Sequence, residues 1–160
     1  MSPPVSRASF TCRDARTDDL DILVRLLADD ELGRAREQAT DPLPAPYGEA
    51  LAEILRSDFT RLIVVETDGA VIGSLQLTFI PHLSYVGQRR AIFESVHVAP
   101  AFQNKGAGAA LVQFAIDAAQ DAGCGQIVLT SSNSRLDAHR FWKRMGFEAS
   151  HVGMKLHLKR

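Results

Sequence analysis

Cysteine is too scarce in this chain to hold it together: Cys12 and Cys124 are the only two in 160 residues. A pair so widely separated argues against a disulfide framework and against a metal site, and it favours a reducing cytoplasm. Long hydrophobic runs are missing as well. None approaches the roughly 20 residues that cross a bilayer, so no membrane partner is expected. The start, Met1-Ser2-Pro3-Pro4, lacks the charged and apolar segments of a signal peptide, and residues 1–8 read as a flexible tail. Charge of one sign is also lacking. The formal net charge is −1 and no basic stripe carries interleaved aromatics, which argues against nucleic acid as a partner.

What is present is apolar and patterned. With 46% hydrophobic residues, the 160-residue chain suits one domain with a full core. Phe10–Arg13 reads as a first short strand. Thr17 can cap a helix whose first turn holds Asp18 and Asp19 and whose apolar stripe is Leu20, Leu23, Leu26 and Leu27. The irregular stretch Asp29–Pro46 follows, acidic at Asp29, Asp30 and Glu31 and proline-rich at Pro42, Pro44 and Pro46. So long a connection in a compact domain is usually functional or mobile. A helix near Gly48–Arg56 turns Leu51, Ile54 and Leu55 inward.

Asp68-Gly69 between Leu62–Glu66 and Val71–Phe79 is a hairpin signal. A polar loop, Pro81–Arg89, leads to a strand at Arg90–Val98. Then come a helix over Ala109–Ala122 ended by Gly123, a strand at Gln126–Thr130, and a helix over Arg135–Met145 ended by Gly146. Met154, Leu156 and Leu158 alternate as a closing strand. Hairpins early and helical crossovers late make the chain mixed α/β.

The most informative segment joins the strand at Val96-His97-Val98 to the long apolar helix through Pro100 and the glycines Gly106 and Gly108. A strand that breaks into a glycine turn and opens a helix aims backbone N–H groups and a helix N-terminus at one point, a site for phosphate. Lys105 adds a positive charge. A P-loop is excluded because the lysine precedes the glycines and no Ser or Thr follows. A dinucleotide fingerprint is excluded because Leu111 stands where a third glycine or alanine is required.

What remains, Gln103-x-x-Gly106-x-Gly108, resembles the coenzyme A pyrophosphate loop of the GNAT superfamily of N-acyltransferases. Ala138-x-x-Phe141-Trp142-x-x-x-Gly146-Phe147 resembles that family's second motif, A-x-x-F-Y-x-x-x-G-F, and the order of elements is similar along nearly the whole chain. The resemblance implies one domain over residues 1–160, with a mixed, splayed central sheet flanked by helices, and acetyl-CoA as cofactor. It also implies main-chain contacts from Val96, His97 and Val98 to the pantetheine arm. Gln103, Asn104, Lys105, Gly106, Ala107, Gly108 and Ala109 would hold the pyrophosphate, and Asn133 would touch the cofactor from the facing side.

Glu94 is the candidate general base. Strict alternation places Ile92, Glu94, Val96 and Val98 on one face, and a carboxylate among aliphatics is out of place unless it lines a cleft. The bland alternative is a glutamate paired with Arg89 or Arg90. The same alternation sends His97 to the opposite face, where packing or exposure is its expected role. Trp142 stands where the family usually has a tyrosine that protonates the leaving thiolate. An indole N–H donates a hydrogen bond but transfers no proton, so Trp142 is assigned to cofactor contact. His139 and Tyr85 are weak substitutes as acid.

The expected activity is transfer of an acetyl group from acetyl-CoA to a primary amine of a small molecule, by direct attack in a ternary complex. No cysteine falls in the cleft-forming segments, which disfavours a covalent acyl-enzyme. Two alternatives stay open: a non-catalytic CoA-binding sensor, and an acetyltransferase acting on a protein amine. Relatives that pair suggest a homodimer, with the strands after Gly146 as contact edges.

Overall fold

A computed structural model of the chain describes residues 9–30 and 32–159. The tail expected at residues 1–8 and the acidic Glu31 lie outside them. The chain forms two compact units, Met1–Val128 and Leu129–Arg160.

The first unit is built on a five-stranded mixed sheet of order β1-β2-β3-β4-β5: β1 (Thr11–Asp14), β2 (Thr60–Thr67), β3 (Ala70–Ile80), β4 (Arg89–Val98) and β5 (Cys124–Leu129). The first four strands are antiparallel neighbours. The turn between β2 and β3 is the expected one, with Asp68 and Gly69 at φ 50° and 76° as a tight hairpin requires. Helix α1 (Leu20–Ala28) and helix α2 (Ala45–Arg56) follow β1. Helix α2 begins earlier than the sequence suggests, because Pro46 fits a first turn whose N–H groups lack partners anyway. A single turn, α3 (Ser84–Gly87), separates β3 from β4, and the long helix α4 (Ala107–Asp121) carries the chain from β4 to β5.

Pairing across the ladder sorts the side chains. Val64 lies opposite Ser74 and packs with Ala15, Leu23 and Leu51, so α1 and α2 cover that face. The other face, with Ile63, Leu75, Leu77 and Phe93, falls to α4, whose Leu111, Val112, Ala115 and Ala119 are buried. Each large aliphatic or aromatic side chain so buried contributes about 1.5–3 kcal/mol.

Thr17 does not cap α1. It lies inside a 3-10 turn, Thr17–Asp19, that precedes the helix. The Asp19 carboxylate accepts from the Arg16 N–H at 2.7 Å and from both terminal nitrogens of Arg13 at 2.7 and 3.0 Å. Arg13 also donates to Glu66 on β2, tying β1, β2 and the turn together. Hydrogen bonds from Arg13, aided by the Arg16 N–H, hold the Asp19 carboxyl below its usual range despite the burial that opposes them.

The second unit holds α5 (Leu136–Arg144), which ends at Gly146 with φ 93°. The closing strand expected at Met154, Leu156 and Leu158 is not formed: residues 152–159 carry no regular secondary structure, and all three side chains are exposed. Alternation supplies the pattern of a strand, but a strand also needs a neighbour to take its backbone hydrogen bonds.

Candidate active site

Strand β4 does not alternate along its whole length. Gln76 of β3 faces Glu94 and Ser74 faces His97, so Ser95 and Val96 together stand opposite the single residue Leu75. This is a β-bulge, and Ser95 adopts φ 49° to make it. One extra residue reverses the inside–outside sense of everything after it. His97 therefore joins Glu94 on the face shared with Ser74 and Gln76, while Val98, opposite Gly73, turns to the α4 side. Two expectations are corrected. His97 is not on the face opposite Glu94, and Glu94 is not framed by Val96 and Val98; it is exposed, while His97 is half-buried.

Beyond Val98 the chain makes a 3-10 turn at Pro100–Phe102 and enters α4 at Ala107. Asn104 and Gly106 are both left-handed, at φ 58° and 95°. No side chain caps the helix at Gly106. The first N–H groups of a 15-residue helix thus lack a side-chain cap, in the geometry that attracts phosphate. The Gln103 side chain donates to the Val98 carbonyl at 3.0 Å. Its amide braces the turn that leads into α4. Lys105 is exposed, its ammonium 5.8 Å from the centre of the Phe102 ring. A pyrophosphate-bearing cofactor fits this donor set.

The connection that the sequence left unread, 29–44, supplies a third element. Tyr47, in the first turn of α2, donates its hydroxyl to Glu37 Oε2 at 2.8 Å and accepts the Gln38 N–H at 2.9 Å. Arg36 donates to the other Glu37 oxygen at 2.6 Å. The Glu37 side chain is 14% exposed. Burial by itself would raise its pKa, but the hydrogen bonds from Arg36 and Tyr47 and the positive charges of Arg36 and His97 outweigh it and hold the carboxyl below its ordinary value. Arg36 and Tyr47 thereby favour the ionised form of Glu37. Sequence reasoning singled out Asp29, Asp30 and Glu31 instead. Nothing local marks Glu37, because its partner Tyr47 is fixed only by the docking of α2.

Asn133 and Trp142 belong to the second unit. Asn133 is exposed in the turn before α5. Trp142 packs edge-on between Phe141 and Phe147, with ring centroids 5.0 and 5.3 Å away. His139 Nε2 lies 2.8 Å from the Ser132 carbonyl, so its ring closes that turn. Tyr85, in the first unit, is exposed at φ 54° and stacks near His82. Neither cysteine is on the Glu94–His97 segment. Cys12 lies on β1, with β2 and β3 between it and β4, and burial pushes its thiol up. Cys124 begins β5 close to Arg89 at the start of β4, and burial raises it as well, against the opposing pull of Arg89.

The model of the Acetyltransferase (GNAT) family matches residues 24–147. The chain is 28% identical over 149 residues to the glucosamine 6-phosphate N-acetyltransferase of Trypanosoma brucei brucei, a match covering 89% of this chain and 99% of that protein. It is 33% identical over 100 residues to the streptothricin acetyltransferase of Streptomyces lavendulae, covering 62% of this chain and 50% of that protein. Among solved structures, a transcriptional regulator from Bacillus halodurans C-125 is 43% identical, with a TM-score of 0.91 over 94% of this chain and all of that one. Among the described residues, no helix is long and apolar enough to cross a membrane, and no cluster of His, Cys, Asp or Glu is arranged to hold a metal ion.

Proposed function

The chain belongs to the acetyltransferase (GNAT) family, and from that membership we propose that it transfers an acetyl group from acetyl-CoA to a primary amine of a small molecule, by direct attack in a ternary complex. The observation that carries this reading is the uncapped N-terminus of α4, with Asn104 and Gly106 left-handed, directly after the strand that presents Glu94 and His97.

Acetyl-CoA, when bound, supplies an activated thioester. The chain supplies binding and proton handling. Gln103, Asn104, Lys105, Gly106, Ala107, Gly108 and Ala109 hold the pyrophosphate. The main chain of Val96, His97 and Val98 aligns the pantetheine arm, and Asn133 and Trp142 add contacts. Glu94 accepts the acceptor's proton, directly or through a water. The thiolate departs without a protein acid, since Trp142 has no proton to give. Cys12 and Cys124, kept from ionising and away from the Glu94–His97 segment, favour direct attack over an acyl-cysteine. The amino sugar phosphate named for the trypanosomal relative supports a small acceptor.

A second reading has one specific support. The 43%-identical protein of known structure is described as a transcriptional regulator, which fits a domain that binds acetyl-CoA as a signal. Thiol release from acetyl-CoA, measured against a panel of small amines, separates the two. Amine-dependent release establishes the enzyme; binding without release across amino sugars, antibiotics and polyamines contradicts it.

A further inference from the structure

Arg90 is a half-buried cation without a counter-charge among the described residues. It lies near the start of β4, opposite Ile80 at the end of β3. Its Nη2 donates to Nε2 of His82 in the loop that follows β3, which leaves Nδ1 of the ring to donate to Ser84 Oγ at 3.0 Å. Arg90 Nε is buried and meets no acceptor among the described residues. No carboxylate of those residues pairs with Arg90, or with its neighbour Arg89, whose Nη1 donates to the Ala122 carbonyl at 3.2 Å. The pairing of either arginine with Glu94 that the sequence allows is therefore not made. A guanidinium drawn from water without an anion is costly, and an idle buried donor adds to the cost.

The same loop contains an open cavity. His82 and Arg89 line it, with Pro81, Leu83 and Gly87. Its wall is thus cationic and donor-rich in one part and apolar in another. Strand β4 connects this region to the candidate base. The register is unbroken from Ile80–Arg90 to Gln76–Glu94, so Arg90, Ile92 and Glu94 fall on one face, ahead of the bulge. Arg90 and Glu94 are four positions apart, about 13 Å between Cα atoms. That span suits a small molecule with an amine at Glu94 and an anion at Arg90.

We propose that Arg90, with Arg89 beside it and His82 as its positioning residue, recognises an acid group, phosphate or carboxylate, on the acceptor whose amine meets Glu94. This rests on the acetyl-transfer reading above and narrows its acceptors to amines that carry an acid group. The anion supplies the counter-charge that Arg90 lacks, through the charge-assisted bonds a guanidinium makes to paired oxygens. Arg89, exposed at the cavity wall, adds a second positive charge. His82 holds the guanidinium in place and is itself steadied by Ser84.

The test compares acetylation of aminopropyl phosphate and aminobutyrate with that of aminopropanol, an amine of similar length with an uncharged end. In wild type the preferred acid is expected to exceed aminopropanol in kcat/KM by about tenfold or more, and which acid leads identifies the group recognised. In R90Q the preference is expected to fall to within about twofold, while R90K keeps part of it by charge alone. H82Q is expected to raise KM for the preferred acid with kcat held within about twofold, as a lost binding orientation requires. Independently of turnover, the Arg90 Nε–H resonance, assigned by its absence in R90K, is expected to move when aminopropyl phosphate or aminobutyrate is titrated into the wild-type protein with coenzyme A. Acetylation of aminopropanol as fast as of both acids, or a preference that survives in R90Q, overturns the anion site. An H82Q variant with the wild-type KM removes His82 from the positioning role. A moved resonance without acetylation of any of the three overturns the acetyl-transfer reading and leaves the anion site standing. An unmoved resonance with both acids overturns the anion site whatever the activity.

Discussion

Glu94 and His97, three residues apart on β4, share one face of the sheet because Ser95 and Val96 of β4 stand opposite the single residue Leu75 of β3. Ser95 makes this possible at φ 49°, a conformation that costs a non-glycine residue about 1 kcal/mol or more. The strain sits in the segment expected to touch both substrates.

Ser95→Gly is therefore expected to keep the bulge, raise stability by up to about 1 kcal/mol, and leave kcat within a few-fold. Ser95→Val is expected to do the reverse, since a β-branched side chain resists a positive φ. Its cost is about 1–2 kcal/mol in denaturant unfolding, with a larger loss in kcat than in cofactor affinity. Equal stability of the two variants contradicts the bulge assignment.

Replacing Glu94 by Gln is expected to lower kcat by about 10- to 10⁴-fold with little change in acetyl-CoA affinity, as loss of a general base requires. Because Glu94 is exposed, the substitution leaves the core untouched, so the melting temperature serves as control. An unchanged rate removes Glu94 from the proton path.

Acid stability is expected to depend on Asp19. Its carboxyl is held below the usual range by Arg13. A carboxylate with a depressed folded-state pKa stabilises the native chain at pH above its unfolded value, about 4, and loses that contribution as pH falls through the folded value. The melting temperature is thus expected to drop below about pH 4 in wild type, and less steeply in Asp19→Asn, which starts lower. Arg13→Ala leaves Asp19 partly buried without its cation and is expected to cost about 1–3 kcal/mol at neutral pH. Parallel acid limbs in wild type and Asp19→Asn contradict this role.

Much of the fold is legible in the sequence wherever a local signal decides the backbone. Asp68-Gly69 makes its hairpin, and Gly123 and Gly146 end their helices at φ 74° and 93°. The glycine turn opens α4 within two residues of its expected start. The misreadings have a common physical cause, which is that a partner elsewhere in the chain decides the outcome. Ser95 carries no glycine-like signal, so alternation carried through it assigned His97 to the wrong face. Thr17 is as good a cap as Asp19 by sequence alone, until Arg13 claims the carboxylate. Glu37 lies in a stretch without periodicity and gains its place only from Tyr47. Met154, Leu156 and Leu158 alternate as a strand would, with no neighbour specified by their own residues.

The phosphate turn carries the central claim, and calorimetric titration of acetyl-CoA into wild type and Gly106→Val tests it most directly. Gly106 sits at φ 95°, where a β-branched residue is strained by about 1–2 kcal/mol, while a Cβ there meets only the Phe10 ring at an ordinary 3.7 Å. Micromolar binding by wild type, weakened about tenfold or more in a variant that keeps its fold by circular dichroism, is the predicted result. No binding by wild type, or equal binding by both, contradicts the account.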